Sequence, residues 1–268
     1  MSSGLPGGAA AADAPAPAPA PPPAGPRLIG VGMGPGDPEL VTVRAVRVLS
    51  TAHAVVVPVM DTGERGRAEA TVLHHAPDAR VVRAVFALNE REDRARREAA
   101  WDAAAARTAE LLTEGGTART VAFATIGDPN VYSTFGYLAQ TVRALLPRTR
   151  IETVPGITAM QDLAARSGTV LAEGTEPLTL VPATADAAVL RSALDSGGTV
   201  VAYKFGRIAP RVRQVLDEAG RSGNAVFGSA LGLPGEQLSG PGDPLPDVLP
   251  YLSTLIAPAP RSRRGGKL

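Results

Sequence analysis

Apolar positions along this chain follow two rhythms. Short β-branched runs near 28–31, 54–57, 80–85, 120–124, 151–154, 178–181, 199–203 and 225–227 fit strands. Between them, longer Ala/Leu/Arg stretches of helical period run over 39–50, 91–113, 131–145, 158–165, 185–195 and 211–219. This alternation predicts an α/β protein with largely parallel strands. After Gly168 the helix-rich rhythm gives way to a more strand-rich one. The change predicts an N-terminal α/β domain over 27–174 and a C-terminal one over 175–257, with a cleft between them suited to a small ligand.

The chain ends carry neither rhythm. Residues 1–26 are nearly all Ala, Pro, Gly and Ser, which reads as a disordered, partly polyproline tail and lacks the basic and apolar regions of a signal peptide. Residues 258–268, with their Arg-rich close, read as a flexible tail. No apolar run approaches the roughly 20 residues of a membrane-spanning helix.

Composition narrows the partners. With 27 basic and 26 acidic side chains, no broad field points to nucleic acid or an anionic membrane, so an anionic ligand must be met locally. The absence of cysteine excludes disulfides and thiolate chemistry and leaves the cytoplasm as the default compartment. His53, His74 and His75 lack metal-ligand spacing, and no metal is expected.

Candidate chemistry gathers where strands hand over to helices. Gly30-Val31-Gly32-Met33-Gly34-Pro35-Gly36-Asp37 follows one strand, Thr125-Ile126-Gly127-Asp128-Pro129 a second, and Val154-Pro155-Gly156-Ile157-Thr158-Ala159 a third. Ligands of open α/β sheets bind at such carboxyl ends, and glycine lets backbone come close. The first loop is neither a dinucleotide fingerprint nor a P-loop, since Pro35 stands where a third glycine is needed and Asp37 opposes phosphate. A nicotinamide enzyme, with Asp61 as ribose partner, is disfavoured for the same reason. Asp128 has two readings, acceptor for a ligand hydroxyl or ammonium and cap of the next helix. Lys204 is the one lysine besides Lys267 in an arginine-using chain, and its place after a strand suits contact with a carboxylate.

Taken in order and spacing, Gly30–Asp37, Gly127–Tyr132 and Val154–Ala159 resemble the tetrapyrrole methylases, a family of S-adenosylmethionine-dependent methyltransferases, over about residues 27 to 257. Tyr203-Lys204-Phe205-Gly206-Arg207 and Leu233-Pro234-Gly235-Glu236 are similar to segments of the precorrin-2 C20-methyltransferase branch, although Gly228–Leu233 lacks the Glu-Arg-Ala-Thr pattern expected there. The resemblance implies two α/β domains with S-adenosylmethionine in the cleft between them, a homodimer, and a tetrapyrrole over the open trough. It places Pro35, Ile126, Gly127, Asp128, Val131, Thr158, Ala159 and Lys204 at the donor. Tyr132 and Arg207 fall to the substrate, with Arg211 and Arg213 as further carboxylate clamps and Asp37 as candidate proton acceptor or orienting group. Sister enzymes acting on another precorrin carbon or on uroporphyrinogen would share the donor loops.

Overall fold

The computed structural model describes residues 25–86, 93–183 and 187–262. Within them lie two five-stranded sheets. The first joins β1 (Arg27–Gly32), β2 (Ala54–Val59), β3 (Val81–Val85), β4 (Thr120–Thr125) and β5 (Arg150–Val154) in the order β3-β2-β4-β1-β5, every pair parallel. Its central strands are near-continuous apolar runs because helices cover both faces. On one face α1 (Val43–Thr51) and α2 (Glu69–His75) bury Leu49 and Val72 against Val31, Val55 and Val57. On the other, α3 (Arg94–Leu112) and α4 (Phe135–Leu145) bury Leu111, Leu138 and Val142 against Val56, Val121 and Phe123.

The second sheet contains β6 (Leu178–Pro182), β7 (Thr199–Tyr203), β8 (Val226–Ser229), β9 (Gln237–Leu238) and β10 (Ser253–Ala257), ordered β6-β7-β10-β8-β9. Only β6 and β7 run parallel; β10 enters antiparallel between β7 and β8. One face is covered by α6 (Ala187–Asp195) and α7 (Ala209–Glu218). The other takes α5 (Ala159–Ser167), whose Leu163 packs on Val201, Val226 and Ile256. Thus α5 leaves a strand of the first sheet and buries itself on the second, tying the halves together.

Several boundaries differ from those the sequence suggests, each for a local reason. The helix expected from Glu39 begins at Val43: Asp37 caps a separate 3-10 turn at Pro38–Leu40, and Thr42 then caps α1. That expected from Val131 begins at Phe135, after a loop in which Tyr132 takes φ 51°. The sequence reading lacks α2, β9 and β10. The starts expected at Arg91 and Ala185 lie outside the described residues, as do residues 1–24 and 263–268. Two stretches expected in the tails are tied down. The Pro26 carbonyl accepts from the Arg150 amide at 2.8 Å, and Arg261 binds Glu176 at 2.6 Å while the Ala259 amide donates to Thr199 Oγ1 at 2.9 Å.

Candidate active site

The loops after β1, β4 and β5 lie side by side at the carboxyl end of the first sheet, and glycine sets their spacing. The Gly127 amide donates to the Gly34 carbonyl at 2.7 Å. A Cβ on Gly32 would stand 2.5 Å from Gly156, and one on Gly156 would stand 2.1 Å from the Gly127 carbonyl oxygen. These glycines serve contact between loops rather than approach to a ligand. Gly127 differs, because at φ 71° its missing side chain faces open space.

Asp128, 8% exposed, is the clasp of this arrangement. Its Oδ1 accepts from the Asn130 amide at 2.7 Å and its Oδ2 from the Gly156 amide at 2.9 Å. Both carboxylate oxygens are thus engaged by the protein, and the next helix starts too late for Asp128 to cap it. At Thr158 a capping box with Gln161 fixes the start of α5.

A cavity of about 630 Å³ opens beside these loops and runs to the second sheet. Pro35, Ile126, Gly127, Asp128, Val131, Tyr132, Thr158, Ala159, Lys204 and Arg207 all line it. Asp37, Arg211 and Arg213 do not. The Asp37 carboxylate accepts from the Glu39 amide at 2.9 Å and braces its own turn. Arg211 bonds Gln214 at 2.7 Å and Arg213 pairs with Asp247 at 2.7 Å, both away from the cavity.

Lys204 occupies a strained position at φ 61°. Its neighbours enforce it, since Phe205 is fully buried in the core of the second half and Gly206 presses so close to the Leu249 carbonyl that a Cβ would stand 2.4 Å away. The ammonium is 5.5 Å from the ring centre of Tyr132 and 5.8 Å from that of Tyr251, within cation–π reach of both. Tyr132 is also left-handed and meets Tyr203 edge to face at 5.5 Å. Two non-glycine residues in this conformation facing each other is the kind of strain that clusters at functional sites. Burial pushes the Tyr203 phenol above its ordinary pKa, a shift opposed by its contacts with Thr158 and the Met160 backbone.

Sequence reasoning gives no role to Arg65, Arg67 or Tyr251 and reads Tyr203 only as part of the Lys204 segment, yet all four line the cavity. The arginines sit outside any Gly/Pro junction in an Arg-rich chain, and Tyr251 precedes the unrecognised β10. Its aromatic character after a Pro-rich stretch was the available signal. Among the described residues no group of three His, Cys, Asp or Glu could hold a metal ion, and no helix is long and apolar enough to cross a membrane.

Comparison with known proteins agrees with this layout. A precorrin-2 C(20)-methyltransferase from Sinorhizobium sp. is 30% identical over 241 residues, spanning 88% of this chain and 97% of its own. A cobalt-precorrin-2 C(20)-methyltransferase from Salmonella typhimurium is 35% identical over 237 residues, 86% of this chain and 95% of its own. Among solved structures, the uroporphyrin-III C-methyltransferase of Thermus thermophilus complexed with S-adenosylhomocysteine superposes with a TM-score of 0.60 at 23% identity, covering 86% of this chain and 97% of that one, a likeness of fold. With residues 27–242 matching the family model of the Tetrapyrrole (Corrin/Porphyrin) Methylases, the chain belongs to that family.

Proposed function

We propose that the chain transfers a methyl group from S-adenosylmethionine to C20 of precorrin-2, or of its cobalt form, in cobalamin biosynthesis. The observation that carries the reading is the meeting, in one cavity, of a backbone-rich end made from loops that resemble the tetrapyrrole methylases and an aromatic, cationic end that includes a segment resembling their C20 branch. The similarity of 30–35% to enzymes of that activity, over most of both chains, supports it.

The residues present fit such a donor. Gly127 offers open space beside its backbone, Pro35, Ile126 and Val131 supply apolar contact, and Thr158 and Ala159 stand at the first turn of α5. When bound, the donor supplies an electrophilic methyl on a sulfonium. The protein's part is to set carbon, methyl and sulfur in line and exclude water, which can account for a large share of the barrier lowering. Lys204 and Arg207 are placed to hold substrate carboxylates. Asp37 faces its own turn and is assigned a bracing role. A homodimer acting in the cytoplasm completes the proposal; light scattering tests the first part.

The decisive experiment mixes the purified chain with precorrin-2 or its cobalt form and methyl-labelled donor, then locates the label by mass spectrometry and NMR. Label on C20 is expected. Label on another carbon would move the chain to a sister activity, and no transfer would overturn the reading.

A further inference from the structure

Most arginines among the described residues are already engaged. Arg27 pairs with Glu152, Arg80 with Glu114, Arg166 with Glu236 and Arg261 with Glu176. Arg65 and Arg67, like Arg207, line the cavity, are exposed, and have no ion pair or hydrogen bond among the described residues. Glu64, next in the chain and on the same wall, pairs with neither.

Their loop is nevertheless built with care. Buried Glu69 receives the Arg83 guanidinium on both oxygens, each at 2.8 Å, and Arg83 donates a third bond to the Thr62 carbonyl at 3.0 Å. Glu69 also accepts from the Gly66 amide at 3.2 Å. Gly66, between the two arginines, is pressed against β2, where a Cβ would stand 2.3 Å from Val57 Cγ1. The Asp61 carboxylate takes the Gly63 amide at 2.7 Å. A braced turn thus carries two guanidiniums to the cavity wall, neither in an ion pair or hydrogen bond among the described residues, with Arg65 close enough to Glu69 to feel its charge. With Lys204 and Arg207 from the second half, four cations face Glu64 and the already engaged Asp128 across one space.

We propose that Arg65 and Arg67 are specificity-determining anchors for carboxylates of the macrocycle, gripping it from the first half of the chain while Lys204 and Arg207 grip it from the second. The inference rests on the tetrapyrrole reading of the cavity. A guanidinium matches a carboxylate in a two-bond fork, which fixes orientation as well as position, and two such forks from one loop would set which edge of the ring is presented.

The test uses the full chain and its Arg65→Gln, Arg67→Gln, double Gln and double Lys variants. Uroporphyrin III, a stable octacarboxylate, is titrated by fluorescence, and KM and kcat are measured with precorrin-2. Loss of each guanidinium is expected to weaken macrocycle affinity and raise KM by about tenfold, with little change in kcat, in S-adenosylhomocysteine affinity or in melting temperature. The Lys pair should recover part of the affinity, since charge returns without the fork. Unchanged affinity and KM in the double Gln variant would overturn the proposal. So would an equal fall in S-adenosylhomocysteine affinity, or a wild-type chain that bound neither macrocycle. If wild-type bound uroporphyrin III and responded to the substitutions but did not methylate C20, the anchors would stand and the ring position would fall.

Discussion

The two walls of the cavity are made of different material. On the wall from β1, β4 and β5, most groups presented are backbone and small side chains, and the loops touch through glycines that leave no space for a methyl. On the wall from β7 and the approach to β10, the groups are Tyr203, Lys204, Arg207 and Tyr251, long side chains on a segment held at a left-handed residue. Position on the first wall is set by packing of main chain, and on the second by what the side chains carry. Substitution should therefore damage the first through stability and the second through chemistry.

Gly156→Ala should break the first wall most severely. Its new methyl meets a carbonyl oxygen at 2.1 Å, and three loops must shift to admit it. A loss at or above the top of the usual overpacking range of about 1–3 kcal/mol is expected, with loss of S-adenosylhomocysteine binding, read by thermal melting and calorimetry. Wild-type stability would mean that the loops are not locked as described.

Asp128→Ala comes next, removing two hydrogen bonds to backbone amides at once. We expect a cost of about 2–3 kcal/mol, as for hydrogen bonds to a charged group, with melting temperature and donor-product affinity falling together. A loss of affinity alone would return Asp128 to direct ligand contact.

Lys204→Met sharpens the contrast, because it keeps the stem and removes the charge from the second wall. Slower methylation by about 1.5–3 kcal/mol, with little change in stability, is expected in steady-state assays. Should melting temperature fall and turnover persist, the comparison of walls would fail at its most informative residue.

The smallest effect is expected at the brace behind the cavity, where Arg166 on α5 holds Glu236 at 2.5 and 2.7 Å. The guanidinium, helped by the Gly232 amide, lowers the Glu236 carboxyl from 4.5 to about 2. A depressed folded-state pKa stabilises above the unfolded value and stops doing so as pH falls through the folded one. The melting difference between wild type and Glu236→Gln should thus be full above about pH 4.5 and vanish near pH 2, worth only about 0.2–1 kcal/mol for a partly exposed pair.

How much of this was legible in the sequence follows from the same division. Strands β1, β2 and β4 could be read because burial on both faces demands unbroken apolar runs. Strand β10 could not, since Ser253 and Thr254 are buried polar residues after a Pro- and Gly-rich approach, and its place between β7 and β8 depends on chain far away. The first wall announced itself through Gly and Pro at strand ends. Even so, the purpose of Gly32 and Gly156 was misread, because a glycine admits another loop as readily as a ligand. On the second wall Lys204 stands out by its rarity, its place after a strand and its segment, while Arg65 and Arg67, on the loop after β2, are hidden among many arginines until their place on the cavity can be seen.

One contact has a bearing on how such a chain can drift. A Cβ on Gly36 would strike the Leu231 carbonyl at 2.2 Å, and one on Gly232 would strike the Asp37 amide at 2.2 Å. These two glycines come from opposite halves of the chain, yet each exists to make room for the other's neighbour. Descendants that lose either glycine must open the seam between the halves or alter both loops together. The halves are therefore free to diversify in their helices and outer faces, but at this seam they are inherited as a single character.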